Sequence, residues 1–335
     1  MKRKIFALLV CLILSACAAA PSLDGAAGAP AAEPPEGGNV EPPPAMPVSS
    51  PRPNNPPETA PSLTPFPNLG ALPTPPTATP ASYASFSPIL FRTFVDRYYS
   101  FKLLGGYADG NWMKEDQVAP QIQYEKMVDV YDTNGKVGGT LIHDIASLDP
   151  PFCGSTYIGT DLTESAGWQF AFYQGWQVTQ RPVTDMAVDL QTYVQAARDW
   201  LVSQGIADPT VQIARITKVD LEGDGSDEVF IAATYFKTPN PQSPLAEFGD
   251  YSVVLMRKVS GNAVITVPVV ADVYHLDQPE PVFPLTYLLS GFIDLNQDGN
   301  LEVVLEATRW EGSGILIYEI KGLNTIQVLK EICGG

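Results

Sequence analysis

Apolar and polar positions change period several times along the chain, and each change marks an element. Phe101–Tyr107 and Lys126–Tyr131 read as strands, with Asp109-Gly110 and Asn134-Gly135 supplying tight-turn signals. Trp168, Phe170 and Phe172 alternate with Gln169 and Ala171, the two-residue period of a strand with one aromatic face. The period then lengthens. Leu190, Tyr193, Val194, Ala197, Trp200 and Leu201 follow helical spacing, and Gly205 sits where a helix stops. This predicts one amphipathic helix over about 187–204.

Beyond Gly205 the pattern repeats. The first copy runs Val211–Val219, an acidic loop, Glu228–Phe236, Tyr251–Val259 and Ala263–Val270. The second runs Thr286–Ile293, an acidic loop, Glu302–Thr308, Ile315–Ile320 and Thr325–Ile332. Each copy is strand, loop, strand, strand, strand, the unit of a propeller blade. Two such sheets are too few to close a ring: either the N-terminal half adds degenerate sheets, or the two sheets pack face to face in an open β structure, which is the favoured expectation. The fold class expected is mainly β (α+β): two four-stranded blade-like antiparallel sheets, an N-terminal β-rich module, one amphipathic helix, and no closed propeller.

Composition narrows what the rest of the chain can be. Nineteen of the 32 prolines fall between Pro21 and Pro80, so little of the first quarter of the 335 residues can pack into a core. Residues 18–82 lack the large apolar side chains that offset chain entropy and are expected to be a disordered tether with polyproline II character. Ahead of them, Lys2, Arg3 and Lys4 precede the uncharged apolar stretch Ile5–Leu14, and then Leu14-Ser15-Ala16-Cys17. Ten apolar residues are too few to span a bilayer and match a secretory signal. The ending resembles the lipobox of bacterial lipoproteins, which implies cleavage before Cys17 and diacylglyceryl attachment to its sulfur. The expected division is a signal at 1–16, lipidated Cys17 and tether to 82, a β-rich module at 83–205, and the repeat module at 206–335. The expected location is extracytoplasmic, anchored to the cell membrane by lipid, or to the outer membrane if the source has one.

The net charge of −17 becomes −20 once the three basic residues of the signal are removed. Such a surface argues against nucleic acid, which needs clustered Lys and Arg. It also repels an anionic bilayer, leaving the anchoring to lipid.

The strongest chemistry lies in the two acidic loops, 74 residues apart. They read Asp220-Leu-Glu222-Gly-Asp224-Gly225-Ser226-Asp227-Glu228 and Asp294-Leu-Asn296-Gln-Asp298-Gly299-Asn300-Leu-Glu302. Oxygen-bearing side chains fall at positions 1, 3, 5 and 9, with Gly at 6 where a loop around an ion bends sharply. Ser226 and Asn300 are placed to offer backbone carbonyls, and hard Ca²⁺ takes six to eight such oxygens. The leucine at position 2 is expected to anchor each loop in the core. An EF-hand has Glu at position 12 and flanking helices; here Ile231 and Leu305 stand at position 12, between β-branched strands. The loops resemble those of the FG-GAP and VCBS repeats of integrin-like propellers, over residues 211–332. The Phe-Gly and Gly-Ala-Pro elements of FG-GAP are absent. The resemblance supports one or two calcium ions, held by Asp220, Glu222, Asp224, Ser226 and Glu228 and by Asp294, Asn296, Asp298, Asn300 and Glu302.

Other candidates are thinner. The two histidines, His143 and His275, have no metal-ligand spacing around them. No Gly-x-Ser-x-Gly elbow or phosphate-binding glycine loop occurs. Trp176, after Gly175, breaks the aromatic alternation and is the position expected to be exposed as a stacking platform for sugar rings. Once Cys11 leaves with the signal and Cys17 is lipidated, Cys153 and Cys333 remain, and an exported compartment favours their pairing. The function expected is non-enzymatic: a calcium-stabilised lipoprotein that binds an envelope protein or polysaccharide. The alternatives are an envelope glycan hydrolase and a structural envelope protein using calcium for stability alone.

Overall fold

Burial along the strands decides how this protein stacks its sheets, because the central strands bury both of their faces while edge strands stay half-exposed. The computed structural model describes residues 85–92, 101–148, 155–162, 167–238, 245–275, 283–310 and 312–333. The expected signal, Cys17, the expected tether and Cys153 lie outside the described residues.

The N-terminal module is one sheet of seven strands: β1 (Phe86–Arg92), β2 (Phe101–Ala108), β3 (Asn111–Lys114), β4 (Met127–Asp132), β5 (Gly135–Leu148), β6 (Ser155–Thr160) and β7 (Gln169–Tyr173). The order is β1-β7-β4-β5-β6-β2-β3, and β1 also pairs with β2. Asp109 and Gly110 turn β2 into β3 with φ of 48° and 81°, the doubly positive pair that matches strand twist. A four-residue helix, α1 (Glu115–Val118), follows β3. Val118 and Ile122 cover one face of this sheet, packing on Leu90, Leu103, Val128, Val130 and Ala171.

The repeat forms two further antiparallel sheets. β8 (Thr184–Met186) leads into α2 (Gln191–Ser203) and then β9 (Ile213–Val219), β10 (Glu228–Tyr235), β11 (Tyr251–Ser260) and β12 (Ala263–Val273). These strands make a sheet in the order β12-β11-β10-β9-β8. The second copy, β13 (Thr286–Ile293), β14 (Glu302–Arg309), β15 (Gly312–Lys321) and β16 (Asn324–Cys333), forms a sheet in chain order. The fold is mainly β, with two blade-like sheets, a β-rich N-terminal module and one amphipathic helix. The first copy gains a fifth strand, β8, three residues that are too short to show a period.

The two repeat sheets pack face to face. Phe230, Ala232, Val254 and Met256 of the first meet Phe292, Val303, Leu305 and Leu316 of the second. The far face of the first sheet, with Ile231, Val253 and Leu255, receives Ala197 and Leu201 of α2. The far face of the second sheet, with Val304, Ile315 and Ile317, receives Phe91, Phe170 and Phe172 of the N-terminal sheet. Helix α2 ends on Gly205 at φ 94°, with Ile206 N–H bonded to Leu201 C=O and Gly205 N–H to Val202 C=O. This C-terminal cap brings Ile206 onto Leu201 in the same cluster and satisfies carbonyls left over at the helix end.

Candidate metal centre

Each acidic loop joins the first two strands of its sheet, and the two loops share one hydrogen-bond scheme. Asp220 accepts from Gly223 N–H (2.7 Å) and Gly225 N–H (2.9 Å). Asp294 accepts from Gln297 N–H (2.7 Å) and Gly299 N–H (3.1 Å). The ninth-position glutamates reach back to the second position, Glu228 to Leu221 N–H at 3.0 Å and Glu302 to Leu295 N–H at 2.6 Å. Asp224 and Asp298 accept from Ser226 and Asn300 N–H at 2.8 and 2.7 Å. Gly225 and Gly299 hold φ of 88° and 84°, where a side chain would strain the bend. Leu221 and Leu295 are buried in separate cores, as their anchoring role requires.

Around this common frame the two sites differ. In the second loop, carboxylate oxygens of Asp298, Glu302 and Glu319 lie within 4.8 Å of one another. Glu302 is 1% exposed and Glu319 7%. Burial pushes the Glu302 carboxyl well above its ordinary range, and Asp294, Asp298 and Glu319 add to the rise against Leu295 N–H. Burial likewise raises Asp294, with Asp298 adding. Asn296 points its amide hydrogens at Asp298 (3.2 Å) and Glu319 (3.3 Å). Glu319 also pairs with Lys321 at 2.8 Å, whose side chain is 62% exposed. Buried carboxylates gathered without a buried cation are costly. Clustered carboxylate oxygens are the donors that hard divalent ions take, while the amide oxygen of Asn296 accepts from Asp298 N–H at 2.9 Å. Asp298, Glu302 and Glu319 together could hold a metal ion.

In the first loop a lysine stands in the corresponding place. Lys258 Nζ lies 3.0 Å from Glu228 Oε1 and in contact with Glu222 Oε1. Burial raises the Glu228 carboxyl, against Leu221 N–H and Lys258. At Asp220, burial is outweighed by the N–H groups of Gly225, Gly223 and Asp224 and by Arg181, which together hold the carboxyl below its ordinary value. Asp227 pairs outward with Lys218 at 2.6 Å.

Arg181 links the loops. Its Nη1 donates to Leu221 C=O at 2.7 Å and its Nη2 to Gly299 C=O at 2.6 Å. It also lines a cleft of about 590 Å³ with Asn134, Gln180, Asp185, Arg215 and Ser290. Arg215 is held there by Asp185 (2.9 Å) and by Leu289 C=O (2.7 Å).

The expectation of an exposed Trp176 is corrected: the ring is 3% exposed, and its indole N–H donates to Leu295 C=O at 3.2 Å. The turn at Gly175 (φ 91°) swings it under the second loop instead of into solvent. Cys333 ends β16, and its expected partner Cys153 falls outside the described residues. Sequence reasoning missed Glu319, Lys258 and Arg181. Aligning the third strands of the two copies residue by residue would have set Lys258 against Glu319. No protein family, characterised protein or solved structure matches this chain.

Proposed function

We propose that this chain is an extracytoplasmic, lipid-anchored binding module whose polar cleft is shaped by calcium in the second acidic loop. The observation that carries the reading is Arg181, which both lines the cleft and holds a carbonyl of each loop. An ion drawn in by Asp298, Glu302 and Glu319 fixes Gly299, and Gly299 fixes the guanidinium. The lining of amides, guanidinium groups, a carboxylate and a hydroxyl suits a hydroxyl-rich polysaccharide, which such groups recognise by hydrogen bonds. The loops' resemblance to FG-GAP and VCBS repeats supports calcium. The basic head, apolar stretch and Leu14-Ser15-Ala16-Cys17 support the lipid anchor.

A glycan and envelope-protein binding screen with the full chain, in calcium and in chelator, tests the reading. Polysaccharide binding that weakens with chelator and with Arg181→Ala supports it. Binding indifferent to both overturns the coupling. No ligand in the screen, with a calcium-dependent melting shift, favours a structural envelope role.

Glycan hydrolysis is a second reading, favoured by one groove. About 860 Å³ of space beside β16 is lined by Glu115, Asp116 and Glu331, away from both loops. Burial raises the Glu115 carboxyl, against Thr156 N–H, as a general acid requires. Reducing ends released from envelope glycan, and lost in Glu115→Gln, would favour this reading; an inert chain removes it.

A further inference from the structure

The groups that face the two loops from the neighbouring strand carry opposite charge. Val229 pairs with Arg257, and Val303 pairs with Tyr318. One step nearer the loops, Lys258 comes beside Glu228 and Glu319 comes beside Glu302. The two therefore hold the same place in their copies of the repeat. Lys258 is no surface lysine: its side chain is 15% exposed, and its Nζ contacts both Glu222 and Glu228. That ammonium lies between the side chains of positions 3 and 9, where an ion ligated by both would sit. Position 3 has changed with it. The first copy has Glu222, which reaches the lysine, and the second has the neutral Asn296, which faces Glu319.

We infer that Lys258 is the first loop's own cation, a tethered ammonium standing where the second loop takes a divalent ion, so that the chain holds one ion and not two. The ammonium supplies charge and directed N–H donors to buried carboxylates, which a paired buried charge requires. It differs from an ion in being part of the chain, so Glu222 and Glu228 keep this counter-charge at any calcium concentration. Arg181 does not hold this place: its Nη1 and Nη2 donate to the backbone carbonyls of Leu221 and Gly299. The inference rests on the calcium reading only for the second loop; the first loop's claim stands on Lys258.

Calcium counting by equilibrium dialysis, with melting in millimolar Ca²⁺ and in chelator, tests it on the full chain. The wild type is expected to bind one ion. Lys258→Gln is expected to melt lower in chelator, to bind a second ion, and to recover in calcium. In an Asp298→Ala background, Lys258→Gln restores a calcium-dependent shift that Asp298→Ala alone lacks. Two ions on the wild type, or no ion gained by Lys258→Gln, overturns the inference. If Lys258→Gln does not fold in either condition, Glu222→Gln decides: an unchanged calcium count supports the inference, and a lost ion overturns it. A wild type with no ion beside a Lys258→Gln chain with one keeps the Lys258 assignment and refutes calcium at the second loop, so the two failures are distinguishable.

Discussion

The indole N–H of Trp168 donates to Ser290 C=O at 3.0 Å, and the ring lies over Gly291, where a Cβ would come within 2.2 Å of it. This contact docks the aromatic strand β7 on β13, joining the N-terminal sheet to the second repeat sheet. Gly291→Ala must therefore displace a large ring at a packed junction. Overpacking of this kind costs about 1–3 kcal/mol. Denaturant unfolding followed by tryptophan fluorescence should show a lower midpoint and an altered native spectrum; an unchanged midpoint would mean that the junction is loose.

Calcium removal and Glu302→Gln should act in opposite senses on the apo and loaded chain. A ligand bound only to the folded state at a hundred times its dissociation constant stabilises it by about 2.7 kcal/mol. In chelator, Glu302→Gln removes a buried charge repelled by its neighbours, so it should melt at or above the wild type. In calcium it should lose most of the ion's stabilisation. Scanning calorimetry in both conditions checks this, and a full calcium shift in Glu302→Gln would exclude Glu302 as a ligand.

Alkaline unfolding should be driven by buried phenols. Burial, with Asp272 nearby, pushes Tyr318 from 10 up to about 12 and also raises Tyr274 and Tyr287. Tyr287 donates to Asp272 at 2.8 Å. Below pH 10 both folded and unfolded chains keep these protons. Above it the unfolded chain releases them and the folded one does not, so stability falls as pH rises from about 10 to about 12. Absorbance at 295 nm should show exposed tyrosines titrating first and a delayed group ionising together with loss of structure. A single ordinary titration curve would contradict the burial.

Peptide mapping without reduction should recover a Cys153–Cys333 link from the exported protein. It would close a loop of about 180 residues, for which the chain-entropy model gives an upper figure near 5 kcal/mol. Two alkylatable thiols in the native protein would refute it.

Fatty-acid labelling should mark the wild type and spare Cys17→Ala, which should also leave the membrane fraction. Label retained on Cys17→Ala would place the lipid elsewhere.

The legible parts of this fold were those in which local pattern and burial agree. Thr286–Ile293 is a strand at the expected residues because Tyr287, Leu289 and Phe292 are buried in the core between the repeat sheets. Leu221 and Leu295 were readable as anchors because a large aliphatic side chain in an acidic loop has nowhere else to go. Helix α2 begins at Gln191, later than its spacing suggested. Trp176 misled because its exposure is set by Leu295, a partner 119 residues away. Lys258 and Glu319 were missed for a related reason: their roles depend on the residues of β10 and β14 that they face across the sheet, a pairing that the separate strands do not spell out.

The face-to-face stacking of the two copies also sets a limit on growth. A propeller adds blades around an axis, and each new blade finds an open neighbour. Here the first copy is capped on its outer face by α2, and the second by the N-terminal sheet. A third duplicate would find both of these outer faces already covered. The helix and the N-terminal sheet thus act as end-plates, and they turn what began as a repeat into a closed pair whose members were free to diverge.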